Sequence, residues 1–313
     1  MEWLAKLIIK IQWIFGLLSN WRRDIWFLNV LNPPLILSGW VKIKRGMIVK
    51  RNFGDDLNDF LIPLLSGKNV IFYEHSFFCH LFKPKRILAI GSIINERLDD
   101  KCIVWGSGSQ LDSPSINVCN PDVRAVRGPL TRAWLLSQGV NCSEVYGDPA
   151  LLLPFVYIPP TSPKENKKYE LGIIPNINDN NDQFLVSFKK RYPETHIIKM
   201  SDYDSWKHVI DEIVACKYIV SSSLHGLIIS DAYMIPNAWI KLGCTLGGKD
   251  YFKYRDYYSS VGKSYVTKPF IFSEKTTVDE LLGIVKRWTP INIDLKPLIE
   301  NCPFWIDIYK NIS

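Results

Sequence analysis

The strongest constraint on this chain is an alternation in which short, uninterrupted apolar runs, several closed by glycine, take turns with segments of helical period. NVIFYEH (69–75), RILAIGS (86–92) and CIVWGSG (102–108) are the clearest runs, and VKIKR (41–45), VRAVRG (123–128) and SEVYGDP (143–149) complete a first set. A strand that is apolar at consecutive positions needs cover on both faces, which a parallel sheet flanked by helices provides. Helical patterns intervene at DLNDFLIPLL (56–65) and at PLTRAWLLSQG (129–139), which opens on Pro129 and stops at Gly139.

The stretch PPTSPKENKK (159–168) is Pro-rich and charged, the composition of a linker. Beyond it the alternation restarts. YELGIIPN, HIIKM (196–200), YIVSS (218–222) and NAWIKL (237–242) read as strands, and helices are predicted near 181–191, 205–216 and 224–234. A late helix opens at Thr277, where Glu280 completes a capping box, and a further amphipathic segment covers 295–310. The prediction is therefore an α/β protein of two Rossmann-like lobes, 41–158 and 169–313, with a central cleft and C-terminal helices, preceded by a helical segment over 1–40. With 313 residues and 47% hydrophobic content, two cores of ordinary size are within reach. In such sheets ligands bind beyond the carboxyl ends of the strands.

Bulk composition removes several classes. The net charge of +7 is spread along the chain with no basic arm, so nucleic acid is not expected as a partner, whereas 11 Trp and 14 Tyr suit a sugar-handling surface. Seven cysteines without a C-x-x-C pair read as reduced thiols in a cytoplasmic protein. His75, Cys79 and His80 lie close together but lack a second ligand pair, so they are read as packing residues and no metal is expected.

The opening segment has Leu4, Leu7, Ile8, Ile11, Phe15 and Leu18 at helical spacing, and is too short to span a membrane. It fits two readings. One is a helix packed on its own domain. The other is peripheral membrane contact through residues 1–23, with Trp3 and Trp13 at head-group level and Lys6, Lys10, Arg22 and Arg23 facing lipid phosphate at the inner face of the cytoplasmic membrane.

The sharpest chemical signal is YIVSSSLHGLIISDAYMIPNAWI (218–240), where a strand ends in Ser221, Ser222 and Ser223 and a helix begins. Unpaired N–H groups and the helix dipole make that turn an anion site, and His225 in the first helical turn can trade protons near neutral pH. Ordinary serine capping with a core histidine is the competing reading. In PDVRAVRGPLTRAWL (121–135), Arg127 follows a strand and precedes a helix, suited to bidentate capture of carboxylate or phosphate. In RNFGDDLNDFLIPLL (51–65), Gly54 permits a close approach and Asp55-Asp56 stand at a helix start. One acid can cap, which leaves the other for sugar hydroxyls or a base role. The run GGKDYFKYRDYYSSVG (247–262) carries Lys249, Lys253, Arg255, Asp256 and four tyrosines, and reads as a mobile flap over a glycan.

In order along the chain, FGDDLND (53–59), RILAIGSII (86–94), VWGSG (104–108), VRAVRGPLTR (123–132), VYGDPALLLP (145–154), SSSLHGLIISDAYMIPN (221–237) and FKYRDYYSSVG (252–262) resemble the polysaccharide pyruvyl transferase family. The resemblance implies a glycosyltransferase-B-like fold and transfer of an enolpyruvyl-derived group from phosphoenolpyruvate onto a sugar. The product would be a pyruvate ketal in an exopolysaccharide, capsule or cell-wall polymer. Carried over by motif, Arg127 binds the donor's anionic groups, Ser222, Ser223 and Leu224 hold the rest, and His225 is the general acid. The sequence departs from one branch of the family at Ser223, where those members carry Arg, and at Asn176, where many members carry His. A second donor-binding cation must then come from elsewhere, with Lys253 a candidate.

Ketal formation itself needs one proton donor, anion clamps and an acceptor-side carboxylate, and no metal or redox cofactor. The acceptor, a glycan or lipid-linked oligosaccharide, is assigned to Asp55, Asp56, Asn58, Asp256 and Tyr257. Two rivals are kept: a sugar-nucleotide glycosyltransferase of the same fold, and a non-catalytic glycan-binding subunit. The first lacks a clear acidic residue for the nucleotide ribose, and the presence of His225 and Arg127 counts against the second.

Overall fold

The computed structural model describes residues 2–110, 116, 120–160, 167–242 and 251–304. It is an α/β structure built on two five-stranded sheets. The first set of strands is β1 (Leu35–Leu37), β2 (Lys42–Lys44), β3 (Met47–Lys50), β4 (Val70–Phe72), β5 (Arg86–Leu88), β6 (Cys102–Trp105) and β7 (Asp122–Ala125). Of these, β4-β1-β5-β6-β7 form one sheet in that order, with every pairing parallel. The second sheet has the order β12-β11-β10-β8-β9, also parallel throughout. Its strands are β8 (Tyr169–Ile174), β9 (His196–Ile197), β10 (Cys216–Ser221), β11 (Asn237–Lys241) and β12 (Phe270–Ile271).

Three expectations for the first sheet are corrected. Its second strand in spatial order is Leu35–Leu37, which falls inside the 1–40 segment read as a separate helical region and directly follows Pro33-Pro34. Residues 41–45 do not join the sheet. Their alternating exposed-buried-exposed pattern at Lys42–Lys44 belongs to an antiparallel ribbon with β3. Residues 143–149 form no strand, only a single bridge from Tyr146 to Val126.

The helices follow their signals. Pro129–Ser137 starts on its proline, and Val278–Val285 carries the Thr277–Glu280 capping box. Phe53–Ser66 ends where Gly67 takes a left-handed conformation. Of the tail, Lys296–Glu300 is helical, and residues beyond 304 lie outside the described ones, as do 161–166 of the expected linker.

One apolar cluster runs through both sheets, from Leu37, Leu57 and Leu61 to Leu227, Ile228 and Leu298. The two halves are also joined by hydrogen bonds, besides the connection near 160. The Phe53 N–H donates to the Met200 carbonyl (2.8 Å), and the Trp105 indole donates to the Leu298 carbonyl (2.7 Å).

Candidate active site

The strands of both sheets deliver their first following residues to one cleft of about 210 Å³. From the first half come Trp40, Asn52, Asp55, Ser92 and Gln110. From the second come Asn176, Ser223, Leu224, His225 and Lys253. Ser92 lies a few residues past β5, Asn176 past β8, and Ser223–His225 past β10, so the topology positions the site.

Ser223 is the N-cap of the Leu224–Ala232 helix, and its side chain makes no capping bond. The Ser223 N–H itself is taken by Ser221 Oγ (3.0 Å), and the helix presents its N-terminal end to the cleft with no capping bond from the Ser223 side chain. Ser222 does not share this surface. It is buried, donates to Asp179 (3.0 Å) and accepts from the Asn176 N–H (2.8 Å), so it braces the 176–179 turn.

His225 is held from two sides. Its side chain is 12% exposed, and its Nε2 lies 3.8 Å from Asp148 Oδ2, with neither atom hydrogen-bonded. Its Nδ1 edge rests on Gly54: a Cβ there would sit 2.1 Å from Nδ1. The close approach expected of Gly54 is thus an approach to the histidine ring. Burial, then the charges of Arg127 and Lys253, push the imidazole down to about 3.

Arg127 is fully buried beneath the cleft floor, not open at a sheet edge. Its Nε donates to Asp256 Oδ2 (3.1 Å), Nη1 to Ser92 Oγ (2.6 Å) and Nη2 to the Ser109 carbonyl (2.7 Å), while Nη2 also lies 2.9 Å from Asp256 Oδ2. The guanidinium passes so close to Gly108 that a Cβ there would meet its Cζ at 2.3 Å. Among the described residues, Ser92 is the cleft-lining side chain to which Arg127 donates.

The carboxylates assigned to the acceptor part company. Asp55 lines the cleft, and burial, reinforced by Asp56 and opposed by Asn52 and Lys253, raises it to about 6. Asp56 points away, accepting from Tyr203 Oη and from the Asn52 N–H (3.2 Å). Asn58 is a buried tie, donating to the carbonyls of Asp55 (3.1 Å) and Ile90 (2.9 Å). The 247–262 flap is corrected as well. Residues 243–250 lie outside the described ones, and Phe252–Ser260 is a helix. On that helix Lys253 lines the cleft. Asp256 is buried against Arg127 and Thr131, and Tyr257 is buried, donating to Asp231 (2.8 Å). Neither Asp256 nor Tyr257 reaches the cleft.

Sequence reasoning missed Ser92 and Asp148. Each directly follows a glycine at the end of a run read as a strand (Gly91-Ser92, Gly147-Asp148). Burial raises Asp148 to about 6, helped by Asp256 and opposed by the Ala150 N–H and Arg127.

A parallel α/β frame gathers a buried histidine, a lysine, a carboxylic acid and a helix N-terminus into one cleft, an arrangement of the kind enzymes use. The family model for polysaccharide pyruvyl transferase matches residues 20–242, most of the chain, and the protein belongs to that family. It is 30% identical over 228 residues to "Uncharacterized protein L143" of Acanthamoeba polyphaga mimivirus, an alignment that covers 67% of this chain and 71% of the relative. It is also 27% identical over 247 residues to "Succinoglycan biosynthesis protein ExoV" of Rhizobium meliloti (strain 1021), covering 76% and 69% respectively. No solved structure matches. Pyruvyl transfer onto a polysaccharide is accordingly the class of reaction.

Proposed function

We propose that this protein transfers the pyruvyl group of phosphoenolpyruvate onto two hydroxyls of one sugar in a cell-surface polysaccharide, forming a pyruvate ketal between two glycosyltransferase-B-like lobes. The observation that carries this reading is the meeting of Asp55, His225, Lys253 and the helix start at Ser223 in a single cleft. The donor's phosphate and carboxylate lie against the helix N-terminus and Lys253, which takes the place of the missing Arg at 223. Arg127 acts from below, orienting the Ser92 hydroxyl and adding positive potential.

The proton path balances. The histidine protonates the donor's methylene carbon, and the adjacent carbon becomes cationic. The first sugar hydroxyl attacks there and gives its proton to Asp55. The second hydroxyl displaces phosphate, which carries the remaining proton away, and Asp55 returns its proton to the histidine. An Asp55 near 6 is ionised at neutral pH and still basic enough for this. The histidine, depressed to about 3 in the empty cleft, is neutral until the donor arrives. Phosphate and carboxylate charges at contact distance then reverse the local field and stabilise the imidazolium. Donor binding thus loads the acid.

The test is thermal-shift screening with phosphoenolpyruvate, UDP-sugars and free glycans, followed by product NMR with the responsive pair. A shift with phosphoenolpyruvate and a quaternary ketal carbon in the product are expected. A shift with UDP-sugar alone favours a glycosyltransferase, and one with glycan alone a binding subunit.

The acceptor's lipid end gives the Glu2–Leu18 helix a role, as a contact with the inner face of the cytoplasmic membrane. Ile9, Phe15 and Trp21 are well exposed beside Lys10, while Leu17 is buried. Arg23 does not face lipid. It pairs with Asp59 and donates to the Gly46 carbonyl (3.0 Å). Among the described residues no helix is long and apolar enough to cross a membrane.

A further inference from the structure

Two buried polar atoms in the site lack any hydrogen bond and point at the same gap: His225 Nε2 and Asp148 Oδ2, 3.8 Å apart. Such atoms are uncommon because each forgoes the hydrogen bond it had in water. An approach of about 1 Å would bring them within hydrogen-bond distance, and one proton between them would then satisfy both. Asp148 is not free to turn elsewhere. Its Oδ1 accepts from the Ala150 N–H (3.0 Å), and the preceding Gly147 N–H is anchored on the Val126 carbonyl (3.1 Å). The opposite edge of the imidazole is different. Nδ1 packs against Gly54 so closely that a Cβ there would meet it at 2.1 Å, and only a residue without a side chain admits the ring in this position; unlike Nε2, Nδ1 is not among the fully buried atoms without a partner.

We propose that Asp148 is the positioning residue of His225: its Oδ2 holds the Nε2–H of the imidazole, which leaves Nδ1 as the nitrogen that gives up and regains the proton in the cleft. This rests on the reading of His225 as the acid. In the step itself the Nδ1–H bond breaks as the C–H bond of the donor's new methyl group forms. The neutral ring left behind keeps its Nε2–H on Asp148, so the tautomer ready to be protonated again is already in place. The other charges around the ring are Arg127 and Lys253, both cationic, and Asp55 across the cleft. Asp148 is the acidic side chain that meets an imidazole nitrogen.

The tautomer is measurable without any substrate. In the full chain labelled with ¹⁵N-imidazole histidine, the His225 signal is assigned among five histidines by its loss in His225→Gln. At pH 7 the wild type should show a protonated Nε2 and an unprotonated Nδ1, and Asp148→Asn should lose that preference. In kinetics, Asp148→Asn should lower kcat by roughly 10–10³-fold while the KM for phosphoenolpyruvate stays within about threefold, and Asp148→Glu should restore part of the rate. A wild-type ring protonated on Nδ1 overturns the proposal whatever the enzyme's reaction proves to be. So does Asp148→Asn at near-wild-type kcat. If the tautomer is as stated but phosphoenolpyruvate is not turned over, it is the donor assignment that fails.

Discussion

Asp55 and Asp56 are adjacent in sequence and opposite in role, because consecutive helical residues point about 100° apart. Asp55 faces the cleft, and Asp56 is spent on Tyr203 and the Asn52 N–H. Which of the two was available could not be read from Gly-Asp-Asp, since either could cap. The same limit hid the fate of Asp256, whose type and setting were right for a sugar contact but whose partner stands 129 residues away. Residues legible in advance were those whose position follows from chain direction alone: Ser223, Leu224 and His225 at a strand exit. Asp55 makes the sharpest prediction at this scale. Its folded value near 6 lies above the ordinary carboxylate value, so it is ionised above about pH 6, and the base role proposed for it is lost below that. The acid limb of kcat/KM should therefore fall near pH 6, and Asp55→Asn should abolish that limb while lowering kcat on the order of 10²–10⁴-fold. Lys253→Ala is the contrasting variant, expected to raise the KM for phosphoenolpyruvate and leave the limb in place. A limb that survives in Asp55→Asn assigns it to another group. The same raised value has a stability consequence of opposite sign. Ionising Asp55 costs the folded state above pH 6, so Asp55→Asn should raise Tm at pH 8, with the gain fading as pH falls toward 4.

The elements were more legible than the side chains. Unbroken apolar runs gave most strands of both sheets, and proline and capping-box signals gave helix starts at Pro129 and Val278. The misses share a cause. Leu35–Leu37 is only a three-residue strand, hidden behind Pro33-Pro34, and Phe252–Ser260 is a helix whose polar and aromatic residues give hardly any apolar stripe. Burial there comes from tertiary partners: Tyr254 stacks on Trp239, and Asp256 finds Arg127. The Glu2–Leu18 helix is the converse case, a strong apolar pattern with few partners, of which Trp13 against His80 is one. Ile9 and Phe15, 64% and 69% exposed, contribute little to the fold. Ile9→Asp with Phe15→Asp should leave Tm within a few degrees and activity on a soluble acceptor unchanged. Cosedimentation with vesicles containing phosphatidylglycerol should drop by about tenfold or more. Equal vesicle binding by the two forms would remove the membrane contact.

At the scale of the molecule, the halves are joined by more than the chain near residue 160. The apolar cluster is continuous, the segment after Lys296 returns to the first sheet through Trp105 and Leu298, and Arg127–Asp256 bridges the two with both side chains fully buried. Removing one member of such a pair leaves an uncompensated charge and typically costs about 3–5 kcal/mol, whereas replacing both by apolar residues can be close to neutral. Arg127→Leu and Asp256→Leu should each lower stability to urea strongly, and the double variant should recover much of the loss. Additive losses would mean that the two charges are not coupled. Position after a strand suits Arg127 to the capture of a ligand's carboxylate or phosphate, but its full burial commits it to Asp256. The pair also bears on descent. A lineage that loses either charge first passes through a form too weakened to persist, so positions 127 and 256 behave as one inherited character, and aligned relatives should show both charges or neither.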